Sequence, residues 1–239
     1  MFNIKKIKTM QFLAKNSIIF IFIFGLYACT KEPANTPESV YCGIINEKLY
    51  SFSRLSDFEK NKFDELKKSR FLKYKNDFLE AAQTFDIEWE ILAAVAFQES
   101  QWNPKARSAT QVKGMMMLTL PTAASVGVTN RLDPIQSIYG GAQYISDLKS
   151  TIDYGTSSGD KIAFLLASYN LGTTNIRNAI NAIDKKPIEV TWLDLERYLL
   201  DLKTSMDSEN YSRGQQTVDF VERVRDYYYL LLAQNCSDS

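Results

Sequence analysis

The sequence predicts an all-α globular domain of about seven to nine helices. Three observations carry this reading. Apolar residues recur three and four positions apart through most of the chain, which lays one apolar stripe along each prospective helix. Helix-start signatures precede several of these stretches: Ser56-Asp57-Phe58-Glu59 has the capping-box form, and Asp133-Pro134 reads as N-cap and first-turn proline. Nothing alternates like a strand over a useful length, residues 114–120 being the one candidate.

In chain order, residues 1–28 read as a removable signal. Lys5, Lys6, Lys8 and Lys15 stand without any acid among the first 15 residues, and an apolar run follows, ending in Leu26-Tyr27-Ala28-Cys29. A basic start, a short apolar core and a small residue before the cut make a secretory signal. The run is shorter than the roughly 20 residues that span a bilayer, so the alternative, an uncleaved N-terminal anchor, is disfavoured. Leu26-Tyr27-Ala28-Cys29 is similar to a bacterial lipobox, in which the Cys becomes the lipidated first residue; Tyr27 departs from the small or β-branched residue usual there. The resemblance implies a periplasmic lipoprotein anchored through Cys29 and, in a host with two membranes, held in the outer one.

Residues 29–55, with Pro33 and Pro37, read as a tether, and residues 56–74 as an N-terminal helical extension. In that extension Phe63, Leu66 and Phe71-Leu72 are threaded through a charged run that reads as a solvated face. Residues 75–235 form the expected main domain. Its first helix holds Phe78, Leu79, Ala81, Ala82 and Phe85; Asp86 is the expected cap of the second, with Glu88 and Glu90 in the first turn where the helix dipole favours acids. After Asp133-Pro134, Ile138, Gly141, Ile145 and Leu148 keep helical spacing. An apolar helix over 162–169 ends near Gly172, and helices over 193–202 and 218–232 complete the set.

Composition excludes several function classes. Of 28 basic residues four lie in the signal, leaving 24 against 28 acids, and such a balance argues against a nucleic-acid partner. There is no histidine, so no Ser-His-Asp triad, Cys-His dyad or His-ligated metal is available. No glycine-rich phosphate loop occurs, and neither cofactor nor metal is expected. Three cysteines fit one lipidated Cys29 plus a pair, Cys42 and Cys236, free to bond in an oxidising compartment; the alternative is two separate thiols.

Glu99 is the candidate for chemistry. Leu92, Val95, Ala96 and Glu99 fall at i, i+3, i+4 and i+7, so a carboxyl takes a slot where the pattern asks for an apolar residue. Burial raises a carboxyl pKa, and an acid still protonated near neutral pH can protonate a leaving oxygen. A Glu at the end of a core helix can equally reach solvent or meet an Arg. The neighbouring residues decide between these.

Glu99-Ser100-Gln101-Trp102-Asn103-Pro104-Lys105-Ala106-Arg107-Ser108 resembles the E-S-x-x-N-P-x-A-x-S motif of lytic transglycosylases with the goose-type lysozyme fold. The segment from Gly114-Met115-Met116-Met117 to Pro121-Thr122-Ala123 resembles that family's G-L-M-Q-L-M-P-x-T-A, with Met117 where the family often has Gln. Asp133-Pro134-Ile135-Gln136-Ser137-Ile138-Tyr139-Gly140-Gly141 resembles D-P-x-x-N-I-x-x-G, and Ala167-Ser168-Tyr169-Asn170-Leu171-Gly172 resembles A-A-Y-N-x-G. Tyr211-Ser212-Arg213-Gly214 and Phe220-Val221 resemble the closing helix. Five segments stand in order over roughly residues 75–230. The triple Met and the Y-x-R-G segment are most similar to the membrane-bound lytic murein transglycosylase F family. Its members usually carry an N-terminal solute-binding-like domain, for which this chain leaves no room.

The resemblance implies a lysozyme-like helical domain with a substrate cleft. It implies cleavage of the β-1,4 bond between N-acetylmuramic acid and N-acetylglucosamine of peptidoglycan, leaving 1,6-anhydro-muramyl ends. Glu99 would serve as acid and then base, whereas ordinary glycosidases use two carboxylates. Asn103-Pro104 is expected to stop the Glu99 helix, and Gly114 to allow close backbone approach, as to a sugar ring. Ser108, Met116, Met117, Tyr139, Tyr169, Asn170 and Tyr211 are the substrate-binding candidates. Core packing is the alternative for the three methionines and for Tyr169. Trp102, Tyr154 and Tyr198 are further possible sugar-stacking platforms. A hydrolytic muramidase and a non-catalytic peptidoglycan-binding lipoprotein are the rival readings.

Overall fold

The structure, a computed structural model, describes residues 37–201 and 208–237, so the signal and Cys29 lie outside the described residues. In order the helices are α1 (Pro37–Phe52), α2 (Asp57–Ser69), α3 (Lys75–Thr84), α4 (Trp89–Ser100), α5 (Leu120–Ser125), α6 (Pro134–Thr151), α7 (Ser158–Leu171), α8 (Thr173–Ala182), α9 (Trp192–Asp201) and α10 (Ser208–Ser237). Short 3-10 turns occupy Phe71–Lys73 and Pro187–Glu189. The expected all-α class is observed. Among the described residues the 114–120 strand candidate amounts to two isolated bridges, Arg107 with Lys113 and Lys113 with Leu118. No helix among the described residues is long and apolar enough to cross a membrane.

The chain falls into two units, Met1–Ile44 and Ile45–Ser239. The described part of the first is the start of α1, where Val40, Tyr41 and Ile44 are exposed. Within the stretch expected to be a tether, Pro37–Phe52 is helical. Pro37 is the first helical residue, a place where proline's missing N–H costs nothing.

The second unit is organised around α4. Leu92, Ala93, Ala94, Val95, Ala96 and Phe97 are all buried, as in a helix surrounded on every side. It packs against α10, α3 and α6. The capping box at Ser56 forms as expected, with Ser56 Oγ accepting from Glu59 N–H and the Glu59 carboxylate accepting from Ser56 N–H. Helix α2 buries Phe63 and Leu66. The Phe63 ring lies 4.7 Å from Phe97, 5.2 Å from Trp102 and 5.6 Å from Tyr227. The 56–74 segment is thus part of the same core.

Both ends of α4 differ from expectation. Its N-cap is Glu88, without a side-chain cap bond. Asp86 stands earlier with φ 52° and pairs with Lys149 at 3.0 Å. The helix ends at Ser100, before Asn103-Pro104, because Gln101 and Trp102 both adopt left-handed backbone (φ 53° and 56°). The double reversal drives Trp102 back into the core, where its indole N–H donates to the Ala93 carbonyl at 2.9 Å.

Candidate active site

Glu99 occupies the last turn of α4 and remains partly exposed. Burial raises its carboxyl to about 8. Desolvation is the whole cause: among the described residues no charged or hydrogen-bonding group offsets it. A carboxyl in this setting is protonated at neutral pH and ready to donate.

Beside it, residues 114–117 form a tight turn held from three helices. Ser100 Oγ, at the end of α4, lies 2.7 Å from the Met115 carbonyl and accepts the Asn103 N–H at 3.2 Å. On α6, buried Ser137 accepts the Met116 N–H at 3.1 Å. On α7, the Tyr169 hydroxyl donates to the Met116 carbonyl at 2.7 Å. Gly114 makes the turn possible: its φ is +87°, and a Cβ there would fall 1.7 Å from the Arg131 carbonyl oxygen. Its close approach is therefore to backbone, which corrects the expectation of a sugar ring.

Tyr169 and Glu99 belong to one cluster. The Tyr169 phenol is pushed well up, first by burial and then by the charge of Glu99 and by Tyr144. It stays neutral and remains a donor. The ring is parallel to Phe220 at 6.3 Å and tilted against Tyr144 at 5.3 Å. Tyr144 is a member that sequence reasoning missed. It is partly exposed, and burial raises its phenol. The signal was its place on α6 beside the Gly141, Ile145 and Leu148 stripe, which by spacing alone reads as packing.

The other candidates fall in different places. Met115 and Met116 are fully buried, so the Met116 side chain is core rather than cleft wall; it fits only because residue 141 is glycine, where a Cβ would stand 2.6 Å from Met116 Cγ. Met117 alone of the three keeps exposure, on a left-handed backbone with φ 46°. Asn170 is exposed, and its Oδ1 accepts from Thr217 of α10 at 2.9 Å. Ser108 organises its own loop, lying 2.9 Å from Thr110 Oγ1 and accepting the Val112 N–H at 3.3 Å. Tyr139 faces α3, donating to Glu80 at 3.2 Å and meeting Phe85 edge-on, and is not brought to Glu99. Trp102 and Tyr154 are buried and cannot stack on a sugar here, whereas Tyr198 is partly exposed. The Tyr211 side chain lies outside the described residues. Cys42 and Cys236 are each disulfide-bonded. Among the described residues no cluster of acids and cysteines could hold a metal ion.

A cavity of about 530 Å³ lies elsewhere. It sits at the opposite end of α4, walled by Ile87, Ile91, Ile145, Ile162 and Leu165, and takes in no part of the Glu99 cluster. The desolvated acid, rather than this cavity, marks the site.

Residues 76–191, which contain Glu99, the 114–117 turn, Ser137 and Tyr169, match the Transglycosylase SLT domain family. Membrane-bound lytic murein transglycosylase F of Shewanella loihica is 39% identical over 194 residues, covering 79% of this chain and 40% of that protein. The protein of the same name from Photobacterium profundum is 41% identical over 169 residues, covering 69% of this chain and 31% of that one. The chain thus spans about 40% or less of the length of these curated relatives. Among solved structures, an inactive mutant of lytic transglycosylase Slt from Pseudomonas aeruginosa superimposes with a TM-score of 0.49 at 19% identity, covering 65% of this chain and 23% of that one.

Proposed function

Because the chain carries a transglycosylase SLT domain and so belongs to that family, we propose that it is a peptidoglycan lytic transglycosylase. It would cleave the β-1,4 bond between N-acetylmuramic acid and N-acetylglucosamine. The observation that carries this reading is the lone, desolvated Glu99 with its carboxyl raised to about 8.

The chemistry follows from that carboxyl. Protonated Glu99 gives its proton to the glycosidic oxygen as the bond from that oxygen to the muramyl C1 breaks. The carboxylate left behind is disfavoured by its surroundings, so it is a willing base. It takes the proton of the muramyl 6-hydroxyl as that oxygen closes on C1. The 1,6-anhydro ring forms, Glu99 regains its proton, and no water is consumed. A two-carboxylate glycosidase needs a second acid across the bond. Among the described residues no acid adds to the shift of Glu99. Tyr169 supports the reading by holding the 114–117 turn against the acid.

The test is digestion of purified sacculi with mass analysis of the released ends. Anhydro-muramyl products are expected from the wild type, and a loss of about 10²–10⁴-fold in rate from Glu99→Gln. Reducing ends would instead make the protein a hydrolytic muramidase. Release of no soluble fragments, or equal release by the variant, would overturn the role of Glu99.

The finer placement belongs to the same proposal. Cys29 would be acylated and hold the enzyme on the periplasmic face of the outer membrane, within reach of glycan strands. Cys42 and Cys236 would form one intramolecular disulfide. Incorporation of labelled fatty acid, absent in Cys29→Ala, checks the anchor, and a non-reducing peptide map checks the pair.

A further inference from the structure

A second cavity, about 210 Å³, opens where α7, α8, α9 and α10 meet. Leu171, Asn175, Asn178, Tyr198, Arg213 and Gly214 are among its walls, and among the described residues no acid lines it. Arg213 and Asn178 are exposed, and neither side chain has an ion pair or hydrogen bond among the described residues. Asn175 is held in place by its amide, which donates to the Leu171 carbonyl at 2.8 Å. Gly214 sets the depth of the cavity. A Cβ at Gly214 would lie 2.4 Å from the Leu199 carbonyl oxygen, so only glycine lets α10 seat directly on α9 with Arg213 at the rim.

The cavity shares helix α7 with the Glu99 cluster. Leu171 is two residues beyond Tyr169 on the same helix. Between them Asn170 accepts from Thr217, whose hydroxyl also lies 2.9 Å from the Arg213 carbonyl. The Asn170–Thr217–Arg213 bonds thus join the rim of the cavity to the helix that carries Tyr169.

A lone exposed arginine is ordinarily just solvated. Here it shares a concavity with two amides and a phenol and, among the described residues, no acid, a donor set suited to an anionic acceptor. The volume is below the usual range for a drug-sized ligand and suits a short side chain instead. On the proposed substrate the sugar rings are uncharged, and the carboxylates belong to the peptide attached to the muramyl lactyl group. We propose that this cavity receives a carboxylate of that stem peptide, so that Arg213 makes cleavage depend on whether the strand is peptide-bearing. The inference rests on the peptidoglycan reading.

Two measurements test it. In the first, the stem peptide with free carboxylates, and the same peptide with its carboxyls amidated, are titrated calorimetrically into Glu99→Gln and into Glu99→Gln/Arg213→Ala. Binding of the free-carboxylate form only, weakened at least about tenfold by Arg213→Ala, is expected. Equal binding of the amidated peptide, or no binding to either protein, overturns the proposal. In the second, wild type and Arg213→Ala digest sacculi before and after an amidase strips the peptides. Arg213→Ala should raise KM about tenfold on peptide-bearing strands and leave the stripped strands unaffected. An equal fall on both substrates would make Arg213 merely structural. Inactivity of the wild type on both would instead count against the transglycosylase reading, while the calorimetry still decides the cavity.

Discussion

At the scale of single residues, the pH behaviour of Glu99 follows from its setting. Its ordinary value is 4.5 and burial raises it to about 8. The first chemical step needs the proton in place, so kcat/KM should fall as pH rises through about 8, and a pH–rate profile on soluble glycan fragments checks it. Stability carries the same sign. Below about 4.5 both folded and unfolded chains hold the proton and nothing is lost. Between 4.5 and 8 the unfolded chain releases it while the folded one does not, so stability falls as pH rises and levels off above about 8. Glu99→Gln removes this dependence. Its Tm should therefore exceed that of the wild type by more at pH 9 than at pH 5, and parallel Tm curves for the two proteins would contradict the desolvated acid.

At the scale of elements, the 114–117 turn and the ends of the helices show what local sequence can and cannot specify. Gly114→Ala should be far more damaging than Gly127→Ala. Both glycines have positive φ, +87° and +71°, and that alone costs about 1–2 kcal/mol for a residue with a Cβ. At Gly127 nothing lies within 4 Å, whereas at Gly114 the new carbon would overlap the Arg131 carbonyl oxygen at 1.7 Å. Denaturant melts should place Gly127→Ala near that strain cost, and Gly114→Ala well beyond it with activity lost as well. The same contrast explains how much was legible beforehand. The Ser56 capping box and the Asp133-Pro134 start are local bonds within three residues, and the sequence shows them directly. The Leu92, Val95, Ala96, Glu99 stripe likewise follows from helical periodicity. What periodicity lacks is the far side of a contact. Met116 reads as a site residue through its motif and Trp102 as a possible sugar platform, yet Gly141 and the aromatic cluster take them into the core. Tyr144 reads as packing although its partner is Tyr169, 25 residues on and on another helix. The end of α4 depended on two left-handed residues, neither of them glycine, which no propensity would select.

At the scale of the whole molecule, the recognisable domain and the folding unit have different limits. The family match begins at residue 76, and the sequence places the main domain at 75–235. The core of the second unit nevertheless draws on buried Phe63, Leu66 and Phe71; the Phe63 ring meets Phe97 of α4 and Tyr227 of α10, and the Phe71 ring meets Trp102 in the turn after α4. Loss of one buried Phe side chain costs about 3–5 kcal/mol, and total stability is about 5–15 kcal/mol. Deleting two phenylalanines and a leucine together therefore removes most or all of the folding free energy. It also uncovers Trp102, whose indole bond to Ala93 fixes the turn behind Glu99. A chain beginning at Lys75 should accordingly lack cooperative unfolding and lose the near-ultraviolet circular dichroism of its buried aromatics. The full chain should keep both when the two are compared in reducing buffer, so that the absence of Cys42 does not contribute. Phe63→Ala in the full chain gives the graded version, with a loss of about 3–5 kcal/mol in denaturant melts. A truncated chain that melts cooperatively within a few degrees of the full one would show instead that α2 is an appendage, and that the acid site is complete within the matched residues.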